Sequence, residues 1–338
     1  MASKIWIPGL IKRIEMIHEE TMLRIVKYAV KAPSCHNAQP WRFKIRNDTI
    51  CLLPDFTRAL PVADNDNHSL YISMGCALEN MILAAHEFGY DTEVEITGNG
   101  NNPQIIVALH DEPEGVKPEL FDYILKRQAR RNKYRNDKVP DNLISELFND
   151  PDDEGVSTKL FLSGNEMREM IPYISEGTRL QFSNKAFVDE LVGWVRFSEK
   201  EAMLKGDGIR AGAMGLPNTG RLIGKIIMKY FISAEIEARR MEELARASSG
   251  FALFMAEKND PYHWIRLGQA FQRFGLKAAK YQVSHSHLDM PCEEMEVRDK
   301  LINHLQLKDL TPLLLIRFGY SGPMPYSFRR SFYKLLDP

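Results

Sequence analysis

The chain has 338 residues, 44% hydrophobic and 26% charged, with 44 Lys and Arg against 45 Asp and Glu for a formal net charge of −1. That balance leaves no global field to draw the protein to nucleic acid or an anionic membrane, and the length suits one large domain or two ordinary ones. Cys35, Cys51, Cys76 and Cys292 are too sparse for a disulfide framework or a four-cysteine zinc site, no run approaches the roughly 20 apolar residues of a membrane span, and no cleavable leader pattern opens the chain, so a protein of the reducing cytoplasm is expected.

Residues 15–31 place Met16, Ile17, Met22, Leu23, Ile25, Val26 and Ala29 at helical spacing. The next stretch, Ala32-Pro33-Ser34-Cys35-His36-Asn37-Ala38-Gln39-Pro40-Trp41, breaks that helix, because Pro33 and Pro40 fix φ near about −65° and bias the residues before them away from helix. Ser34, His36, Asn37 and Gln39 then offer donors and acceptors from a stiff turn, suited to the edge of a flat heterocycle, with Trp41 as an apolar wall. The alternative is a Pro-rich turn whose Asn and Gln side chains cap themselves. Strands are expected over 41–46 and 49–53 around Asn47-Asp48, with a loop over 54–67. A buried small-residue helix follows over 68–88, closed by Gly89, and then strands at 92–96 and 104–109 around a turn at 98–100.

The pattern then begins again. Gly268-x-Ala270-x-Gln272-Arg273-x-x-Leu276-x-Ala278 matches the spacing of Gly75-x-Ala77-x-Glu79-Asn80-x-x-Leu83-x-Ala85, and 312–317 echoes the strand at 104–109. Two copies of one unit are expected, unless two buried helices drew independently on the same few small residues. Between the copies, 120–133 gathers Lys126, Arg127, Arg130, Arg131 and Lys133. On a helix Arg127 and Arg131 would share a face and clamp a phosphate; otherwise the run is a solvated surface.

Helices are expected over 143–148, 173–180, 187–197 and 222–247, and a strand over 251–256. No clear strand precedes the Gly-rich 206–217, which reads as a lid or an ordinary connection rather than a dinucleotide fingerprint. His285, His287, Asp289, Cys292 and Glu293 are potential metal ligands without a second group at metal spacing, so no metal is expected. Cys35 and His36, adjacent in sequence, are not expected to face each other as a thiolate pair, and no catalytic side chain is assigned.

Pro33-Ser34-x-x-Asn37-x-Gln39-Pro40-Trp41 resembles the signature of the nitroreductase-like flavoproteins, in which it wraps the isoalloxazine ring of FMN from the neighbouring half of a dimer. Arg127-x-x-x-Arg131-x-x-Tyr134, followed by Lys138-Val139-Pro140-Asp141, resembles the segment of that family that binds the FMN phosphate; Ala129 and Arg130 stand where members often have Ser or Thr and Asn. Each half lacks what the other keeps. Before the signature only Lys12 and Arg13 stand in for the clamp, and after the helix at 143–148 comes Asn149-Asp150-Pro151-Asp152-Asp153 with no Asn-x-Gln-Pro-Trp. Over essentially its whole length the chain resembles the fused, single-chain Acg-like branch of the superfamily.

The resemblance implies an α+β, nitroreductase-like fold in two tandem copies, each a mostly antiparallel or mixed sheet with surrounding helices, at 1–115 and 116–338 with a lid insertion around 200–222. It implies FMN held by Pro33, Ser34, Cys35, Asn37, Gln39, Arg127, Arg130, Arg131, Ser286 and His287, and by a returning basic pair, Arg329 and Arg330. It further implies NAD(P)H as electron donor, a nitro-aromatic or quinone-like small-molecule acceptor, and a monomer that mimics a dimer internally. The same branch implies an alternative, an FMN-sequestering protein with a lid-covered flavin and little reductase activity.

Overall fold

The computed structural model describes residues 8–97, 103–112, 114–149 and 155–337, and their side chains from residue 19 onward with Tyr230 and Phe231 excepted. The turn expected at 98–100, the side chains of Lys12 and Arg13, and residues 150–153 lie outside the described residues.

Helix α1 (Pro8–Ala29) ends at the Pro-rich turn, and strands β1 (Trp41–Arg46) and β2 (Thr49–Pro54) follow as an antiparallel hairpin. Asn47, at φ 48°, supplies the left-handed residue that such a tight turn needs. Helix α2 (His68–Glu87) and strands β3 (Tyr90–Thr97) and β4 (Gln104–Asp111) complete a sheet in the order β1-β2-β4-β3, antiparallel throughout.

Beyond it lie α3 (Asp141–Phe148), β5 (Val156–Phe161), α4 (Gly164–Ser183), α5 (Lys185–Trp194), β6 (Val195–Arg196), α6 (Glu199–Lys205), β7 (Ile209–Arg210), α7 (Arg221–Phe231) and α8 (Ala234–Arg246). Then come β8 (Gly250–Ala256), α9 (Pro261–Lys280), β9 (Ser284–His287), α10 (Met290–Glu293), α11 (Met295–Leu305) and β10 (Thr311–Gly319). A second antiparallel sheet runs β5-β8-β10-β9, while β6 and β7 form a small parallel pair. No described helix is long and apolar enough to cross a membrane.

The two sheets meet through α2 and α9, whose backbones touch. A Cβ on Gly75 would sit 2.0 Å from the carbonyl oxygen of Ile265, and one on Gly268 would sit 2.1 Å from that of Ile72. Ile72 and Gly75 precede Ile265 and Gly268 by the same offset that relates the matched sequence patterns, so the contact is reciprocal. Polar pairs extend it: Cys76 Sγ donates to the Gly268 carbonyl (3.1 Å), Gln272 Nε2 to Asn80 Oδ1 (2.6 Å), and Gln269 and Arg273 both donate to Glu79 Oε2. The largest apolar core is continuous across the crossing, from Trp41 and Ile50 to Phe254 and Phe318.

Several expected elements take a different form. The basic segment 120–133 is not helical beyond a short 3-10 turn at Phe121–Tyr123; Ala129 bridges His285 in parallel register, and Arg130 N–H donates to the His285 carbonyl (2.8 Å). Arg127 and Arg131 therefore do not share a helix face: Lys126 and Arg127 N–H still bond back to the Tyr123 carbonyl, but by Arg130 the backbone has left that turn for a neighbouring strand. The helix expected over 222–247 breaks between α7 and α8, where the Ser233 side chain accepts from Ile236 N–H and starts a new helix. Strand β5 has no counterpart among the expected elements, and the 285–293 loop begins as a strand because β10 supplies a partner to residues of low β-propensity.

After β10 the chain runs back to the first sheet, where Phe43 N–H donates to the Leu335 carbonyl and Asp337 N–H to the Phe43 carbonyl (both 2.7 Å), covering the open edge of β1.

The glycine contact is testable by denaturant unfolding. Gly75→Ala and Gly268→Ala are each expected to destabilise the chain by about 1–3 kcal/mol, as overpacked cores do. Gly193→Ala, in the last turn of α5 with open space around its Cβ position, is expected to stabilise by about 0.4–1 kcal/mol, since the unfolded chain loses freedom and nothing is displaced.

Candidate functional site

A cavity of about 310 Å³ lies between the Pro-rich turn, α2, the segment 127–131, β9 and the helices α4, α5 and α8. The turn is strained: His36 (φ 50°), Asn37 (φ 55°) and Gln39 (φ 55°) are all left-handed without being glycine. Each such residue costs on the order of 1–3 kcal/mol and persists only where its surroundings hold it.

Those surroundings come from distant parts of the chain. Asn37 Nδ2 donates to the carbonyls of Gly208 and Phe328 (3.1 Å each), Gly208 N–H donates back to the Asn37 carbonyl (3.2 Å), and Gln39 Nε2 donates to the Gly206 carbonyl (2.8 Å). Gln39 Oε1 accepts from Arg330 N–H (2.9 Å), and the Ser34 hydroxyl accepts from Gln39 N–H (2.9 Å). The guanidinium of Arg329 donates to Asn37 Oδ1 and to the carbonyls of Val30, Lys31 and Ala32, which follow the end of α1. Segment 206–208 is fixed in turn by Asp207, which takes Arg196 (2.7 and 2.9 Å) and Arg58 (2.6 Å). Gly208 must be glycine here: its φ is 75°, and a Cβ would meet the Trp194 carbonyl at 2.3 Å.

The residues singled out in the sequence divide into two groups. Pro33, Ser34, Cys35, Asn37, Arg127, Arg131, Ser286, His287 and Arg329 line the cavity. Gln39, Arg130 and Arg330 do not. Gln39 is wholly buried among backbone groups, Arg330 lies over Gln39 and Asp55, and Arg130 turns away to Ser284 Oγ and the Ser321 carbonyl. Trp41, expected as a wall of the site, is buried in the core instead. The amide of Asn37 faces the cavity, but its hydrogen-bonding capacity is committed to Gly208, Phe328 and Arg329.

Cationic groups stand at two places in the cavity. Arg127 is 7% exposed, its Nε and Nη1 have no hydrogen-bond partner among the described residues, and burial pushes its pKa down to about 10. Beside it lie Cys76, Tyr326 and Arg329, whose pKa is pushed down to about 9 by burial and by Arg127. Arg131, lowered by burial, stands near Cys35, His36 and Asp289. An uncompensated buried guanidinium is costly unless an anion joins it.

Cys35 Sγ and His36 Nδ1 are 3.1 Å apart, against the expectation from adjacency; the left-handed backbone at His36 brings the ring back to the thiol. The pair is nevertheless neutral near pH 7. Burial, with Glu293 nearby, holds the thiol well above its usual range, and burial with Arg131 lowers His36 to about 4. In the 285–293 loop His287 Nδ1 meets Asp289 Oδ2 at 2.7 Å, while Asp289 Oδ1 accepts from Leu315 N–H. Among the described residues Asp64, Asp66 and His68 bring ligand atoms within 4.8 Å of one another, but Asp64 spends both oxygens on the N–H groups of Ser69 and Leu70 in the first turn of α2.

Sequence reasoning missed Arg317, Gln181 and Glu293 as cavity residues. Arg317 carried a signal, a lone cation in an otherwise apolar strand. It is 1% exposed, packs over the Tyr134 ring at 3.9 Å and donates to the Asn132 carbonyl.

Asp207 gives the site a pH-dependent support. Against the upward push of burial, hydrogen bonds from Arg58 and Arg196 hold its pKa below the usual value. Its contribution is therefore complete above about 3.9, the unfolded value, and fades as pH falls through the lower folded-state value. Amide protection factors at 206–208 should fall in Asp207→Asn at neutral pH and in the unmodified protein only in acid; equal protection in variant and parent at neutral pH would remove Asp207 as the tie.

No family model matches the chain. It is 25% identical over 315 residues, 91% of its length and 92% of the relative's, to a Mycobacterium tuberculosis protein named "Putative NAD(P)H nitroreductase acg". It is 21% identical over 329 residues, 94% of its length and 91% of the relative's, to "Putative NAD(P)H nitroreductase Rv3131" of the same organism. Among solved structures, one described as a putative nitroreductase from Anabaena variabilis superposes with a TM-score of 0.50 at 10% identity, over 81% of this chain and 69% of that one. The chain has the nitroreductase-like α+β fold and, along nine-tenths of its length, resembles the single-chain nitroreductase-like proteins of the Acg type.

Proposed function

We propose that the chain is an FMN-dependent oxidoreductase of the nitroreductase type, taking hydride from NAD(P)H and passing electrons to a nitro-aromatic or quinone-like acceptor, with one flavin held in the cavity. The carrying observation is Arg127, a buried guanidinium with two nitrogens unpartnered among the described residues, in a cavity that the signature turn also lines. A phosphate supplies the missing counter-charge and accepts charge-assisted hydrogen bonds. The names of the relatives support the redox chemistry.

On this reading the cofactor supplies the two-electron chemistry and the protein supplies position and electrostatics. Arg127, backed by the positive field of Arg329, holds the phosphate. Pro33, Ser34, Cys35, Asn37, Ser286 and His287 form walls, and Arg131 sets positive charge beside the turn. Apolar side chains of α4 and α5, Phe182, Phe187 and Leu191, keep water from the reacting end. The halves 1–115 and 116–338 are two copies of one unit, each contributing what the other lacks, so a single chain does the work of a dimer, and 200–222 is the cover.

A second reading, flavin sequestration, draws on the mutual hydrogen bonds of Asn37 and Gly208, which pin that cover onto the turn. Anaerobic titration of the flavin-loaded protein with NADPH separates the two: bleaching of the flavin absorbance supports the reductase, and an unchanged spectrum supports sequestration. The residues are tested by retention. Arg127→Ala and Arg131→Ala should each weaken FMN binding by about 1.5–3 kcal/mol, roughly 10- to 150-fold. Asn37→Ala should also release flavin by freeing the strained turn. Arg130→Ala, whose guanidinium lies off the cavity, should retain it, and equal loss in all four would refute the placement of the phosphate beside Arg127.

A further inference from the structure

Glu293, the last residue of α10, lines the same cavity and plays no part in holding the cofactor as described above. Among the described residues its hydrogen-bond partner is Gln181, whose Nε2 donates to Glu293 Oε2 (2.6 Å). The groups that face it are mostly acidic or neutral: Asp289 at the start of α10, Asp64 and His68 at the head of α2, Gln181 of α4, Cys292 beside it, and the thiol of Cys35 in the signature turn. Asp289 and Asp64 have their oxygens engaged by backbone N–H groups and by His287, whereas Glu293 keeps one oxygen free beside the cavity. Apolar side chains, Phe182, Phe187 and Met290, flank this end and suit a flat acceptor carrying a terminal oxygen.

We propose that Glu293 is the proton donor to the electron acceptor. The proposal rests on the oxidoreductase reading and names the chemistry it serves, the two-electron reduction of a quinone-type carbonyl or nitro oxygen. In that step the acceptor gains a hydride equivalent from the reduced flavin and a proton from Glu293. The carboxyl O–H bond breaks with its electron pair left on the carboxylate, a new O–H bond forms on the acceptor, and the carboxylate is reprotonated from solvent before the next turnover. Burial, reinforced by Asp289, pushes the Glu293 pKa up to about 8, so the group carries its proton at neutral pH.

The test uses flavin-loaded protein reduced with dithionite, so that nicotinamide plays no part, and compares reoxidation by benzoquinone with reoxidation by ferricyanide, which takes electrons without protons. Glu293→Gln should lower the ratio of quinone to ferricyanide rate at least tenfold. The parent's quinone rate should fall as pH rises through about 8, and the variant's should not. Glu293→Asp should recover part of the ratio. Infrared difference spectra of parent minus Glu293→Gln should show a protonated carboxyl band that titrates over the same range, independently of turnover. A parent that passes no electrons to quinone overturns the oxidoreductase reading and this proposal with it. An active parent whose rate ratio is unchanged in Glu293→Gln, or whose quinone and ferricyanide rates fall together, overturns the proton-donor role alone.

Discussion

The contact on which the rest of the molecule depends is the crossing of α2 and α9 at Gly75 and Gly268. Only the absence of two Cβ atoms lets the Ile72 and Ile265 carbonyls approach the opposite helix so closely. That approach sets one wall of the cavity, because Ile72, Ser73 and Cys76 of α2 and Phe271 of α9 all line it. Side chains one or two turns from the crossing, Glu79, Asn80, Gln269, Gln272 and Arg273, are then close enough to hydrogen-bond, and they fix the rotation of each helix. A cavity built on such a backbone contact has little freedom to widen, which suits a rigid, planar occupant.

The second constraint is the strained turn. Three left-handed, non-glycine residues within four positions are held by Gly206 and Gly208, by Phe328 and by Arg329 and Arg330, all remote in sequence. These ties explain why several polar side chains expected to touch a ligand are spent inside the protein. Arg329 donates to the carbonyls of Val30, Lys31 and Ala32 just past the end of α1, and Gln39 joins Gly206 to the returning tail. The turn thus acts as a joint between the 206–208 segment, the tail and the cavity wall, and among the described residues Arg127 and Arg317 keep unpartnered guanidinium nitrogens in that cavity.

Much of this was legible in the sequence where local chemistry decides the outcome. The hairpin about Asn47, the apolar small-residue helices and the Pro-bounded turn each follow from residue types, and the matched glycines of α2 and α9 were visible as a repeat before their contact was. Legibility failed where tertiary pairing overrides local preference. The basic segment read as a helix because Arg127 and Arg131 are four apart, yet the Arg130 N–H goes to the His285 carbonyl. His285, Ser286 and His287 read as loop because nothing in them favours a strand except the partner that β10 provides. Glu293 was noted in the sequence only as a potential metal ligand, because its place in the cavity depends on what surrounds it: a carboxyl becomes chemically distinct only when folding removes water and sets it beside Asp289.

On the proposed reading one site draws on both halves of the chain, which bears on stoichiometry. Among the described residues the signature turn occurs once, and Arg127, buried with two unpartnered nitrogens, lies in the cavity that this turn lines. Titration of flavin-stripped protein with FMN, followed by fluorescence quenching, tests this most directly. A composite single site predicts saturation at one FMN per chain, whereas saturation at two, or no quenching at all, would contradict it.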